Sequence, residues 1–389
     1  MSNTAEVIII GGGVHGASLA FHLSQRGVKP ILLEKNFLAS GATGRSSGLV
    51  RMHYDTELDS QLAWKSFSYF RNWEQMVGGD CGFVRTGFIQ IVAREHADHL
   101  RANVLMHQRI GIPSLVVTAD DVRRLAPSFR TDDFDIAAYE PESGYAAPSD
   151  TAMSLMNAAR ARGARLIQGC EVTGVQMAGG KVKGLQTTQG DFAAPVVVNA
   201  AGPWAGKIIQ LAGLDIPCDT WRHDVMVIKR PPEIGPTHPT VIDFPGEMYF
   251  RPEQGGLTLV GLEDGNPLGE SPDSDTDHAR TGFVERAIER ICARIPAMEK
   301  GHLHSAHSGY DGITPDQHPI AGDTEVEGFY LDCGLSGMGF KIAPAVGLCM
   351  AELILDGKTT TLDISDFSPS RFAAGKPVKG SHSYDYVWR

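Results

Sequence analysis

The residues with the plainest chemical capacity are glycines. Gly11, Gly13 and Gly16 form a G-x-G-x-x-G pattern directly behind the apolar run Val7-Ile8-Ile9-Ile10. There the first glycine permits a tight turn, the second lets backbone approach a pyrophosphate, and the third lets a helix pack closely on the strand. The start of that helix offers unpaired N–H groups and partial positive charge to the phosphates. Glu34 lies 18 residues beyond Gly16, where a carboxylate can accept hydrogen bonds from ribose hydroxyls and disfavours a 2′-phosphate. The segment Ser40-Gly41-Ala42-Thr43-Gly44-Arg45-Ser46-Ser47-Gly48 is small and rich in hydroxyls. It suits running beside a long, extended cofactor and bonding its diphosphate and ribityl groups. Far downstream, Thr314-Pro315-Asp316 precedes a second glycine cluster, Gly334-Leu335-Ser336-Gly337-Met338-Gly339-Phe340-Lys341. Backbone N–H groups at that helix start can face the electron-rich edge of a flavin ring.

Other chemistries find little support. His302, His304 and His307 lie close in sequence, but strand alternation puts His302 and His304 on one face and His307 on the other, with no carboxylate or cysteine at ligand spacing; no metal is expected. The aromatic stretch Trp64, Phe67, Tyr69, Phe70 and Trp73 fits a core-facing helix. No G-x-S-x-G elbow or catalytic-cysteine motif supports hydrolysis.

The elements that must position these residues begin with a βαβ unit. The strand 7–10 leads through the glycines into a helix ending near Gly27, and the continuous apolar run Ile31-Leu32-Leu33 reads as a buried parallel strand ending at Glu34. Helical spacing recurs over 58–77, 95–110, 150–162 (with Ser149 as its cap), 278–295 and from the glycine cluster to about 356. Residues 83–92 read as paired strands, 165–185 as short strands around a Gly179-Gly180 turn, and 195–199 as a strand entering Ala200-Ala201-Gly202. Residues 221–260 read as an antiparallel sheet, 263–277 as a polar loop, and 302–308 and 329–332 as strands. The expected fold class is α/β with an α+β second domain. A Rossmann-like dinucleotide-binding domain (1–50, 145–215 and 305–389) is interleaved with a substrate domain built on a mixed or antiparallel sheet (51–144 and 216–304).

The chain has 389 residues, enough for two domains. Its 44 glycines exceed the number that average usage of about 7% would supply, in keeping with many tight turns and close approaches. With 35 basic and 46 acidic residues the net charge is -11, which repels phosphodiester backbones; nucleic acid is not an expected partner. No apolar run reaches the roughly 18 residues that span a bilayer. Six scattered cysteines without a C-x-x-C pair fit a reducing compartment, so the cytoplasm is expected.

Taken in order, these motifs resemble the FAD-dependent D-amino-acid oxidase family, and within it the branch of sarcosine oxidases, glycine oxidases and dimethylglycine dehydrogenases. The carrying segments are Gly11 to Gly16 with Glu34, residues 40–51, 144–163 ahead of Val172, 196–204, Tyr249-Phe250-Arg251-Pro252, and 314–341. The resemblance implies FAD held by Gly11, Gly13, Val14, His15, Gly16, Glu34, Lys35, Thr43, Arg45, Ser46, Ser47, Gly48, Val172, Ala201, Gly202, Trp204, Gly337, Met338, Gly339, Phe340 and Lys341. It also implies a substrate carboxylate held by Arg51 and Lys341, with Tyr249 and His53 near it. Monomeric sarcosine oxidases attach flavin through a cysteine just before the Thr-Pro-Asp motif; this chain has Gly309 there, so noncovalent FAD is expected. Where that branch carries a lysine that promotes reaction with oxygen, this chain has Thr258, and an active-site histidine of the branch corresponds approximately to Leu262. The electron acceptor, oxygen or another, is therefore open, and so is oligomerisation.

The expected activity is oxidation of the C–N bond of an amino acid or N-alkyl amino acid by hydride transfer to flavin, the imine product being hydrolysed. One alternative is a flavin-dependent 2-hydroxy-acid or polyol-phosphate dehydrogenase with His53 as its base. Another is an FAD-binding subunit of a larger complex, inactive alone.

Overall fold

The computed structural model describes residues 3–384. The outermost residues of the expected first and last domain segments, 1–2 and 385–389, lie outside that range. The strand β1 (Val7–Ile10) is buried along its whole length. It sits between Val196–Asn199 and β2 (Ile31–Leu33), parallel to both, with Ile10 level with Asn199 and Leu33. Burial on both faces is why its residues are uniformly apolar rather than alternating. The full sheet runs Ile320–Asp323, Phe329–Cys333, Val196–Asn199, β1, β2, Arg165–Ile167, with Ile320–Asp323 antiparallel at one edge.

The helix α1 (Val14–Gln25) packs against the helices Pro148–Arg160 and Gly339–Asp356. Gly16 explains how closely it lies on β1, because a Cβ there would stand 2.1 Å from the Gly11 carbonyl oxygen. The helix Glu57–Arg71, capped by Thr56, packs on Gly339–Asp356, and its Leu62, Phe67 and Phe70 share one core with α1.

The second sheet has eight strands in the order His302–Ile313, Asp219–Lys229, Leu257–Leu262, Met248–Glu253, Thr240–Asp243, Phe88–Ile91, Ile136–Glu140, Leu115–Thr118. Only Thr240–Asp243 and Phe88–Ile91 run parallel. The amphipathic helix Phe283–Arg294 covers one face through Phe283, Ala287 and Ile291.

Several expectations are corrected. Val84–Arg85 and Phe88–Ile91 do not pair with each other; the first joins Gly144–Tyr145 and the second enters the large sheet. Helix Pro148–Arg160 starts with Pro148 and has no side-chain cap, so Ser149 lies inside it; proline's fixed φ suits the first helical position. Helix Glu57–Arg71 shares its core with α1, strand His302–Ile313 pairs along its length with Asp219–Lys229, and Tyr384 packs among the large-sheet residues Phe88, Ile136 and Ile242. Among the described residues no helix is long and apolar enough to cross a membrane.

Candidate active site

A long cleft with about 1810 Å³ of atom-free space, its open mouth included, runs from β1 and β2 to the face of the large sheet. At its nucleotide end Gly11, Gly12, Gly13, Val14 and Glu34 form the wall. Gly11 has φ +108°, and a Cβ on it would stand 2.3 Å from the Ala200 oxygen, so only glycine fits. Glu34 holds the turn together: Gly12 N–H donates to Oε2 at 2.8 Å and Asn36 N–H to Oε1 at 2.7 Å. The N-cap Gly13 has no side chain to cap α1, which leaves the helix start to an anion. Thr43 accepts from Val14 N–H at 3.0 Å and brings the 40–48 segment alongside.

His15 lines the cleft, but its ring is engaged elsewhere. Nδ1 lies 2.7 Å from Asp332 Oδ1 and Nε2 2.8 Å from the Gly339 carbonyl. Both partners are acceptors, which favours the doubly protonated ring. Burial opposes that charge, yet Asp332 and the carbonyl outweigh it and lift the His15 pKa above 6.5.

Residues 273–277 bond to three side chains that line the cleft. Asp273 accepts from Lys35 at 2.5 Å and from Trp204 Nε1 at 2.8 Å, with Lys35 3.9 Å from the Trp204 ring centre. Arg45 donates to the carbonyls of Thr276 and Ser308 and pairs with Asp277 at 3.1 Å. Lys35, Arg45 and Trp204 thus line the cleft while holding residues 273–277. Ser46, Ser47, Val172, Ala201, Gly202, Gly337, Gly339 and Phe340 line it as well.

Three expected contact residues do not. Gly16 is spent on helix packing, Gly48 is a turn residue at φ +67° facing the Ala146 carbonyl, and Met338 is fully buried in the core beneath the cleft. Of the six cysteines, all free, Cys170 alone reaches the cleft, at its nucleotide end beside Glu34. Gly309 packs on Arg45.

At the far end the structure brings Arg51 and Lys341 together. Arg51 follows the short strand Leu49–Val50, and Lys341 sits in the first turn of Gly339–Asp356. They flank the Tyr54 ring, the guanidinium 4.3 Å and the Lys341 Nζ 5.9 Å from its centre. Arg51 is 3% and Lys341 6% exposed, and among the described residues neither forms an ion pair with a carboxylate. Arg51 donates to the His53 carbonyl, its Nε has no partner, and Lys341 donates to Gly337 O at 3.2 Å. Burial and the Arg51 charge drive the Lys341 pKa well below 10.5, against the pull of Asp311.

The roof comes from alternate residues of the large sheet: His223, Val225, Ile242 and Tyr249. Register sets Gly261 opposite both Val225 and Tyr249, and the Tyr249 ring occupies the space a side chain at 261 would take. Burial pushes the Tyr249 hydroxyl pKa up and His223 down to about 3. Glu263, expected in a loop, is 8% exposed and lines the cleft. Its signal was the period of two: residues 259, 261 and 263 share a face. The same alternation turns the resemblance's neighbours away. Leu262 is in the opposite core, and Thr258 is fully buried, its hydroxyl 3.0 Å from Arg230 and 2.9 Å from His238 Nε2.

His53 is not at the cleft. It lines a neighbouring cavity, shared with Arg51 and closed by residues 377–379, 383 and 384, where Nε2 lies 2.7 Å from the Tyr384 hydroxyl. His53, His107 and Glu140 have ligand-capable atoms within 4.8 Å of one another. The Arg51 charge acts on all three, weighing against a dication there.

A nucleotide-binding half that delivers its ligand to the face of an antiparallel sheet is the architecture of a dinucleotide-dependent oxidoreductase. This chain belongs to the FAD dependent oxidoreductase family, whose model matches residues 6–353; FAD is its cofactor. Human mitochondrial sarcosine dehydrogenase (Homo sapiens) is 30% identical over 400 residues, covering 99% of this chain and 41% of its own. Glycine oxidase of Geobacillus kaustophilus is 27% identical, covering 95% of this chain and 98% of its own. The solved L-proline dehydrogenase from P. horikoshii superposes with a TM-score of 0.90 at 27% identity, covering 97% of this chain and all of that one. The chain spans about two fifths of the length of the mitochondrial sarcosine dehydrogenases it matches.

Proposed function

We propose that the protein oxidises the C–N bond of an amino acid or N-alkyl amino acid, with noncovalent FAD. One observation carries this reading: two buried basic groups, Arg51 and Lys341, share one end of the cleft, and among the described residues neither forms an ion pair with a carboxylate. A buried basic group outside any ion pair is costly to charge, and a carboxylate ligand lowers that cost while fixing its own orientation. FAD, when bound, supplies the hydride acceptor. The chain's own residues do the rest. Gly11, Gly13 and the start of α1 would take the pyrophosphate and Glu34 the ribose, while residues 337–341 would face the ring edge. Arg51 and Lys341 hold the substrate carboxylate, which fixes the reacting carbon, and Tyr249, Val225 and Ile242 exclude water above it. The base expected for the 2-hydroxy-acid alternative, His53, lies in the neighbouring cavity instead.

The test is the visible spectrum of the holoprotein, followed without oxygen as glycine, sarcosine, dimethylglycine, L-proline and 2-hydroxy acids are added, and again on admitting air. Bleaching by an amine supports the reading, and the speed of recolouring tells oxygen from another acceptor. Bleaching by hydroxy acids alone would overturn it.

A further inference from the structure

The proposed reading uses two cations of the cleft and leaves one acid unexplained. Glu263 follows the strand Leu257–Leu262, and its N–H donates to Glu247 O at 2.9 Å, extending the pairing that sets Met248 against Leu262. Carried two residues past Val225 and Gly261, the neighbouring register brings it level with His223. Its Oε2 is buried without a hydrogen-bond partner, a costly condition that a ligand donor would relieve. The charged and polar groups acting on it are Arg51, Asp243, Glu247 and Tyr249, and Lys341 and His223 line the same cleft. None of them donates to Oε2.

Two cations and one carboxylate at the same end of one cleft complement a ligand that carries both charges a few ångströms apart. An α-amino acid is such a ligand. A hydroxy acid or a polyol phosphate could donate a hydroxyl to Oε2 but would bring no positive charge to meet Glu263.

We infer that Glu263 binds the substrate's ammonium group and accepts its proton. This rests on the proposed reading and narrows it to zwitterionic amino acids whose nitrogen carries a removable proton. In the step an N–H bond breaks and an O–H bond forms on Glu263, so ammonium and carboxylate become amine and carboxylic acid. The freed electron pair stays on nitrogen, where it can stabilise the cation that develops as hydride leaves the adjacent carbon. The carboxyl's environment suits the exchange: burial, with Asp243 and Glu247 nearby, pushes its pKa up to about 8 against the pull of Arg51, near enough to an amine's for the proton to move cheaply.

The experiment uses the holoprotein and the variants Glu263→Gln and Glu263→Asp. Anaerobic spectra are recorded with L-proline and sarcosine, and with the amine-free carboxylates tetrahydrofuran-2-carboxylate and acetate. Glu263→Gln is expected to bind the amine-free pair as the unsubstituted protein does, and to be reduced by amines about tenfold or more slowly. Its reduction rate should also keep rising to higher pH, as solution deprotonation replaces the lost acceptor, with Glu263→Asp partly restoring the original profile. Equal weakening of both ligand kinds, or no change in either, overturns the inference alone. Absence of reduction of the unsubstituted holoprotein by any amine overturns the amine-oxidation reading and this inference with it.

Discussion

Lys341 is a cation whose charge depends on its company. Burial beside Arg51 lowers its pKa in the empty cleft, and an anionic ligand must raise it again. Binding a simple carboxylate is therefore expected to take up protons, and affinity to fall as pH rises through the free-site value. Calorimetry of acetate binding in buffers of different ionisation enthalpy reads the proton count directly. Arg51→Ala and Lys341→Met should each weaken carboxylate binding by about 1.5–3 kcal/mol while retaining flavin, seen as an unchanged ratio of visible to ultraviolet absorbance. His15 works the other way. Its folded pKa is raised, so its contribution to stability is fully present below 6.5 and is lost as pH rises through the folded value. The melting-temperature deficit of His15→Gln should be largest near pH 6 and shrink above neutrality; a deficit that grows with pH would show that the Asp332 contact carries no charge.

At the scale of elements, two glycines make contrasting tests. Alanine at 16 would drive a methyl into the Gly11 carbonyl, which is backbone and cannot yield without parting α1 from β1. Gly16→Ala should cost about 1–3 kcal/mol and lose FAD on gel filtration. Alanine at 261 meets the Tyr249 ring first, a side chain rather than backbone. Gly261→Ala should keep its fold and flavin while changing substrate affinity, read by the same anaerobic spectra. The glycine turn, Glu34 and β2 were legible because one βαβ unit places them by local spacing. Glu263 was missed because polarity suggested a loop, whereas strand alternation continues one residue past the last ladder pair.

At the scale of the whole molecule, side chains lining the cleft are tied to a distant part of the chain. Asp273 meets Lys35 and Trp204, and its side chain is 58% exposed, so it adds little to folding. Asp273→Asn is expected to leave the melting temperature nearly unchanged while FAD dissociates a few-fold faster, measured by flavin fluorescence after dilution at several salt concentrations. By itself the sequence determined the nucleotide end, because the turn, the helix start and the acid that make it are neighbours in the chain and their spacing obeys backbone geometry. Only the tertiary structure brought the substrate end together: the resemblance named Arg51, Lys341 and Tyr249, and the fold added Glu263. They come from separate elements, and what makes them a site is the closing of two sheets and their helices around a shared space. The same closure sent His53 to a separate cavity, since which surface a side chain faces is set by the packing of whole elements.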